Sequence, residues 1–266
     1  MAKFGFIGVG NMGGAIAMAA AKALEPSDIL VSAKHPERAL AFARAHGMGA
    51  CDNATIAKEA KFVVLGVKPQ FMEEVLRPLK PILEVRTDAV LVTMAAGLTM
   101  GNISDMVGGG YPVIRIMPNT PARVGQGVIL YDANDRVLQS DLEEFLEAMG
   151  PAGMVDRLPE RLIDAGSAVA GCGPAFACLF MEALADGGVA CGLPRQKALE
   201  YGAQMLLGSA RLLLESGEHP GILKDAVCSP GGSTIQGVRA LEKGGLRAAV
   251  MDAVVAAFEK NRDFIK

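Results

Sequence analysis

Residues 8–13 read Gly-Val-Gly-Asn-Met-Gly, directly after the apolar run Phe4-Gly5-Phe6-Ile7 and before a helical pattern that runs to about Leu24. Three glycines at this spacing, between a buried strand and a helix, constrain the fold more than any other feature of the chain. The first permits a tight turn. The second lets a pyrophosphate approach the backbone, and the third lets the helix pack closely on the strand. A plain strand–helix turn is the alternative, since glycine-rich turns are common. Placed at residue 8 of an alternating strand–helix pattern, the motif favours dinucleotide binding by Gly8, Gly10, Asn11, Met12 and Gly13.

The rest of the N-terminal half supports that placement. Ile29-Leu30-Val31, Phe62-Val63-Val64-Leu65, Val90-Leu91-Val92, Val113-Ile114-Arg115-Ile116 and Gly127-Val128-Ile129-Leu130 are apolar without alternation, and helical segments such as Pro36–His46 lie among them. Strands of that kind belong to a parallel sheet covered on both faces, so the expected fold class is α/β, a Rossmann-type doubly wound sheet. After Asp156 the strand signals stop. Helical patterns cover 161–171, 174–191, 195–216, 221–227, 233–242 and 246–264, broken at glycine and proline. The expected domains are therefore 1–156, dinucleotide-binding, and 157–266, all-α. Ala175 to Cys191 is apolar almost all round, broken mainly by Glu182 and Asp186. Such a helix must be buried on most sides, within its own domain or against a second copy of the chain.

Composition narrows the function classes. A chain of 266 residues, 51% hydrophobic, can bury a sizeable core. Its net charge is −3 and it has no long block of like charges, which argues against nucleic-acid and membrane-surface roles. Five cysteines, at 51, 172, 178, 191 and 228, are odd in number and lack metal-site spacing. They read as reduced thiols of a cytoplasmic protein, with no metal site. The chain enters a strand at once, so no signal peptide is expected. The Ala15–Leu24 segment is too short to span a bilayer and contains Lys22.

Cofactor choice is legible at the end of the second strand. A site for NAD usually carries Asp or Glu there to hold the ribose 2′-hydroxyl. This chain has Ser32-Ala33-Lys34-His35, with Arg38 one turn on. A 2′-phosphate suits Ser32 and Lys34, so NADPH is expected, with NADH less preferred. The alternative is that Lys34 and Arg38 are a solvated helix start. Beyond the carboxyl ends of later strands lie Gly66-Val67-Lys68-Pro69-Gln70 and Ala95-Ala96-Gly97, where ligands of open α/β sheets bind. The small residues 95–97 allow close approach of the nicotinamide ribose. Lys68 reads equally as a surface charge, and Asn119, between Pro118 and Pro121, as a turn residue.

A second glycine-rich turn, Cys228-Ser229-Pro230-Gly231-Gly232-Ser233-Thr234, opens a helix far from the first. Bare backbone N–H groups at a helix start suit a small anion such as a carboxylate. For Thr234 the competing role is helix capping, with Ser229 and Ser233 as rivals for it.

At this point the chain resembles the pyrroline-5-carboxylate reductase family over essentially its whole length. The marks are Phe6–Gly13, Val67-Lys68-Pro69-Gln70, Arg115-Ile116-Met117-Pro118-Asn119-Thr120-Pro121 and Asp225–Thr234. The last two at this spacing are specific to the family. The resemblance implies NADPH-dependent reduction of 1-pyrroline-5-carboxylate to L-proline, the last step of proline biosynthesis. It also implies a helical C-terminal domain that interlocks two subunits as a homodimer, often in larger rings such as a decamer.

By resemblance, Ser32 and Lys34 meet the 2′-phosphate, and Asn53, otherwise read as a helix cap, lies near the adenine ribose. Val67, Lys68 and Pro69 line the cofactor, Ala95, Ala96 and Gly97 flank the nicotinamide, and Asn119 belongs to the same cofactor set. Ser229, Gly231, Gly232 and Ser233 hold the substrate carboxylate, and Thr234 sets its hydroxyl near the ring nitrogen. Ser233 departs from the commoner Thr or Ala, and Cys228 stands where Ser or Thr is frequent.

The implied substrate is a cyclic imine partly protonated near neutral pH, so orientation and charge complementarity can suffice without a strong acid. None of His35, His46 and His219 falls in an expected site loop. Two rival readings are a β-hydroxyacid dehydrogenase or imine reductase, and a non-catalytic NADP-binding sensor. The first lacks a convincing catalytic lysine after residue 160, and the second has no need of a carboxylate cradle.

Overall fold

The computed structural model describes residues 2–263. Eight strands form one sheet in the order β3-β2-β1-β4-β5-β6-β7-β8. They are β1 (Phe4–Ile7), β2 (Ile29–Ser32), β3 (Gly49–Ala50), β4 (Phe62–Leu65), β5 (Val90–Thr93), β6 (Val113–Pro118), β7 (Gly127–Ala133) and β8 (Gly153–Arg157). Every pairing is parallel except β6 with β7. Among them run α1 (Asn11–Ala20), α2 (Pro36–His46), α3 (Asn53–Glu59), α4 (Met72–Leu76), α5 (Lys80–Leu83), α6 (Met100–Met106) and α7 (Gln139–Met149). The chain ends with α8 (Glu160–Ala170), α9 (Gly173–Ala190), α10 (Arg195–Ser216), α11 (Pro220–Ala226), α12 (Ser233–Lys243) and α13 (Leu246–Asp263).

The continuous apolar strands are buried because both sheet faces are covered. On one face Phe4, Phe6, Phe62 and Val64 pack with α1 and with Phe145 of α7. The Phe4 and Phe62 rings lie 4.7 Å apart. On the other face Ile7, Val63, Leu65 and Leu91 meet Ile56 of α3, Met72 of α4 and Ile103 of α6. Each fully buried side chain of this size contributes about 2 kcal/mol of transfer free energy. Because β1 lies between β2 and β4, the strand order reverses beside β1. The loops after β1 and β4 therefore open on the crevice where ligands of such sheets bind.

Three sequence expectations change. The helix after the glycine turn ends at Ala20 rather than Leu24, since the chain must turn through a short 3-10 segment at Pro26–Asp28 to enter β2. Strands β3 and β8 were not expected: β3 is two residues long, and β8 is a half-exposed edge carrying Asp156 and Arg157. The compact units also divide later than residue 156. Ala175–Ala256 forms one unit and the remainder of the chain the other. The reason is α8, which packs on β6 and β7. Its Ile163 is buried with Met117 and Leu130, and Gly166 lets the helix lie directly on Leu130.

Within the helical unit α9 and α10 approach through small residues, Gly188 against Ala198 and Gly202 against Leu184. Yet among the described residues of α9 only Ala185 is buried, and Leu179 is 68% exposed. The expected burial of this apolar helix is not supplied by its own chain. Leu207, Leu214, Met251 and Val255 of the same unit are exposed as well.

Candidate nucleotide and substrate site

Gly8 follows β1 with φ 101°, in the left-handed region that glycine tolerates. A Cβ on Gly13 or Gly66 would overlap the Gly8 carbonyl oxygen, and one on Gly8 would come within 2.8 Å of the Gly66 oxygen. These three positions are glycine because backbone meets backbone. Gly10 differs: it is exposed, and a Cβ there would meet nothing within 4 Å. Packing within the chain does not require glycine at 10, whereas a ligand lying on the backbone does. Gly10 is the N-cap of α1 and supplies no side-chain cap, so the first amides of that helix, Asn11 to Gly13, have no capping side chain. The N–H groups of Gly8 and Val9 donate to the carbonyl of Ser32 at 3.0 and 3.1 Å, which fixes the turn against β2. An open backbone on an uncapped helix start fits the pyrophosphate of a dinucleotide.

Beside the turn lies a cleft of about 590 Å³ lined by Ser32, Lys34, Leu40, Cys51, Asn53 and Leu79, among others. Ser32 is buried, and its hydroxyl donates to Asn53 Oδ1 at 2.6 Å. The cap of α3 is Asp52, whose carboxylate accepts the Thr55 N–H at 2.7 Å. That hydrogen bond, together with one from the Thr55 side chain, holds the Asp52 carboxyl below its ordinary range. The capping read for Asn53 thus falls to its neighbour, and Asn53 is left facing the cleft. Burial, helped by Asp52 and Glu59, pushes the Cys51 thiol up to about 11. Lys34 is exposed, with its ammonium 5.6 Å from the centre of the Phe71 ring, within cation–π range. Sequence reading passed over Phe71, and nothing local to it signals this partner.

The loop after β4 brings Val67 against Gly8 and presents Lys68 to solvent at the start of the 3-10 turn Pro69–Phe71. After β5, Ala95 and Gly97 are buried and Ala96 half-buried, and Gly97 has φ 76°. Arg123, which sequence reading also missed, donates to the backbone and side-chain oxygens of Asn11 at 3.2 and 3.4 Å. That puts a cation beside the start of α1. The two residues are 112 positions apart, so no sequence spacing reveals the pairing.

Asn119 has a structural task. Its amide nitrogen donates to the Ala170 carbonyl at 2.9 Å, and its oxygen accepts the Val128 N–H at 2.9 Å. It ties the end of β6 to β7 and to the end of α8. Arg115 is buried on β6 and donates to Asp164 Oδ1 at 2.6 Å.

In the helical unit, Gly231 takes φ 71° and Gly232 is the N-cap of α12. The Gly232 N–H donates to the Ser229 carbonyl at 3.0 Å, and a Cβ on Gly232 would come within 2.5 Å of Ser229 Oγ. No side chain caps α12, so none of Ser229, Ser233 and Thr234 is spent on that role. Thr234, Ser233 and Ser229 are exposed, and Cys228 is half-buried. The three histidines lie elsewhere. His219 accepts the Gly221 N–H, His46 packs on Phe42, and His35 is exposed beside Glu37. No cluster that could hold a metal ion occurs among the described residues.

Two family models match this chain. Residues 160–264 match the one described as pyrroline-5-carboxylate reductase dimerisation, and residues 3–97 the one described as NADP oxidoreductase, coenzyme F420-dependent. Pyrroline-5-carboxylate reductase of Pisum sativum is 40% identical, over 97% of this chain and 94% of the relative. The reductase of Escherichia coli (strain K12) is 39% identical, over 99% of this chain and 98% of the relative. Pyrroline carboxylate reductase of Plasmodium falciparum, solved with NADP bound, superposes with a TM-score of 0.90 at 31% identity, covering 100% of this chain and 98% of that one. Identity at this level over nearly the whole length settles the family: the chain belongs to the pyrroline-5-carboxylate reductases.

Proposed function

We propose that this chain reduces 1-pyrroline-5-carboxylate to L-proline with NADPH, as the last step of proline biosynthesis. One observation carries the reading. The likeness to reductases runs through the whole chain and so takes in both glycine-led helix starts, not the nucleotide fold alone.

Bound NADPH supplies the hydride that the imine carbon accepts. In this reading residues 1–156 hold the cofactor. The amides at the start of α1, with Gly8, Gly10 and Gly13 keeping side chains away, take the pyrophosphate. Ser32, Lys34 and Asn53 take the adenosine and its 2′-phosphate in the cleft beside β2. Val67, Lys68 and Pro69 lie along the cofactor, and Ala95, Ala96 and Gly97 flank the nicotinamide. Asn119 belongs to the same cofactor set, held in place by its hydrogen bonds to Ala170 and Val128.

Residues 157–266 carry the substrate turn and the subunit contact. Backbone N–H groups at the start of α12, with Ser229, Gly231, Gly232 and Ser233, hold the substrate carboxylate, and the Thr234 hydroxyl meets the ring nitrogen. The imine enters protonated at nitrogen, so the protein orients it and needs no strong acid. The product is then a secondary amine.

The reading includes a homodimer through the helices of the second unit, whose apolar faces stand exposed on the single chain. A ring of such dimers, a decamer, is the larger assembly in the same reading. The stretch Glu160–Ala190 is long and apolar enough to cross a bilayer by composition. Its first part, α8, packs on the sheet, and a second copy of the chain covers the remainder, α9, in this reading, since the dimerisation family model spans it. The five free cysteines suit the reducing cytoplasm, where we place the enzyme. The test is NADPH oxidation with pyrroline-5-carboxylate, run beside NADH and beside a linear 2-keto acid.

A further inference from the structure

Arg115 is 1% exposed in the middle of β6, a costly place for a charge unless it is well paired. Asp164 takes its Nη2 at 2.6 Å. Glu160 stands off, with Oε1 3.6 Å from Nη1. The Nε has no hydrogen-bond partner among the described residues, so Glu160 does not close round the guanidinium as a purely structural counter-ion would. The same Glu160 oxygen instead accepts the backbone N–H of Met100 at 2.6 Å, across 60 residues of sequence. Glu160 is itself held, because its own N–H donates to Asp132 Oδ2 at 2.8 Å, and Asp132 pairs with Arg115 in the sheet.

Met100 is the first residue of α6, and that helix already has a cap. Thr99 and Asn102 form a reciprocal capping box. The bond from Glu160 is therefore not needed to start α6; it fixes where α6 starts. Between β5 and α6 runs the segment Met94–Thr99. At its beginning Thr93 pairs with Arg115 in the sheet, and its hydroxyl accepts the Ala95 N–H at 3.3 Å. At its end Met100 is bound by Glu160. Both ends of the segment are thus tied to one polar group around the buried Arg115: Thr93 through its sheet pairing with Arg115, and Met100 through Glu160, which Asp132 holds.

We infer that Glu160 is a positioning residue for the nicotinamide end of the cofactor, clamping the Ala95–Gly97 segment through Met100. The inference rests on the reading above that this segment flanks the nicotinamide.

Two variants separate the clamp from the charge. Glu160→Asp keeps a carboxylate near Arg115 but draws the oxygen back from Met100. Glu160→Gln keeps an acceptor at full reach and loses the charge. Hydrogen–deuterium exchange on the protein without cofactor, read over peptides spanning 94–101, reports the clamp directly. Glu160→Asp is expected to speed exchange there about tenfold, with β1 and β4 unchanged, and Glu160→Gln to stay near the parent. In Glu160→Asp, NADP+ binding weakens about threefold to tenfold, and the primary isotope effect with NADPH deuterated at the transferred position rises as hydride transfer slows. Glu160→Gln recovers most of both.

The reverse pattern, with Glu160→Gln loosening the segment and Glu160→Asp holding it, would make Glu160 a counter-ion and overturn the inference. Unchanged exchange in Glu160→Asp also overturns it and leaves the reading of residues 95–97 standing. A released segment with NADP+ affinity and isotope effect unmoved overturns both, since the segment then does not serve the cofactor.

Discussion

The buried hydroxyl of Ser32 donates to the side-chain oxygen of Asn53 across 2.6 Å, joining the end of β2 to the first turn of α3. The bond sits in the wall of the cleft beside the glycine turn, and the Ser32 carbonyl holds the first two amides of that turn. The end of β2, the cleft wall and the turn are therefore one connected unit. Asn53→Ala removes the close acceptor and leaves the Ser32 hydroxyl only a long contact to the Phe6 carbonyl at 3.5 Å. The expected cost is about 1 kcal/mol of stability, with weaker NADPH binding. Denaturant unfolding and a cofactor titration on the same variant check this, and an unchanged affinity would detach Asn53 from the cofactor.

The glycines of the turn should separate by substitution. Gly13→Ala drives a methyl into the Gly8 carbonyl, so it should lower thermal stability and cofactor binding together. Gly10→Ala meets open space at φ −75°, a conformation alanine accepts. It should leave the melting temperature as it was and weaken NADP+ binding about tenfold or more, because the methyl stands where the pyrophosphate would lie. Full affinity in a well-folded Gly10→Ala would take the pyrophosphate away from this turn.

Cys51 gives a pH signature. Burial, then the charges of Asp52 and Glu59, raise its thiol to about 11 in the folded chain. The native state binds that proton more tightly than the unfolded state does. Its contribution to stability is full below the unfolded thiol's value of about 8.5 and is lost as the pH climbs toward the folded value. Alkylation of Cys51 at pH 8.5 should run about tenfold slower in the native protein than in urea, after allowing for the greater nucleophilicity of the more basic thiolate. Equal rates, followed by peptide mass spectrometry, would contradict the burial described for this residue.

Self-association is tested at α9. Leu179 is 68% exposed on a helix that carries almost no charge. Leu179→Asp sets a carboxylate on the face that a second copy would cover, where an unpaired charge is costly. Sedimentation should show the dimer, or any ring built from it, shifting toward monomer. An unchanged mass would place the subunit contact elsewhere.

Much of this was legible in the sequence, for identifiable reasons. Strands buried on both faces spell continuous apolar runs, so Phe4–Ile7 and Phe62–Leu65 stood out. The two-residue Gly49–Ala50 and the charged edge Gly153–Arg157 carry no such signal. Gly8, Gly10 and Gly13 were readable because backbone approach demands glycine, although only the structure separates Gly10 from the other two. The cap of α3 was read one residue late, since Asp52 and Asn53 are both good caps and only coordinates show which one turns back. Asn119 and Arg123 act on partners 51 and 112 residues away, and local spacing records nothing of such pairs. The domain boundary was read at the end of the strands, whereas α8 stays with the sheet through Ile163 and Gly166.

The most direct test of the account is the initial rate of NADPH oxidation with racemic 1-pyrroline-5-carboxylate, beside NADH and beside a linear 2-keto acid, repeated on Lys34→Glu. The account predicts rapid oxidation with the cyclic imine alone, a preference for NADPH, and a shift of that preference toward NADH in the variant. Tight NADPH binding without oxidation in the presence of the imine would contradict it.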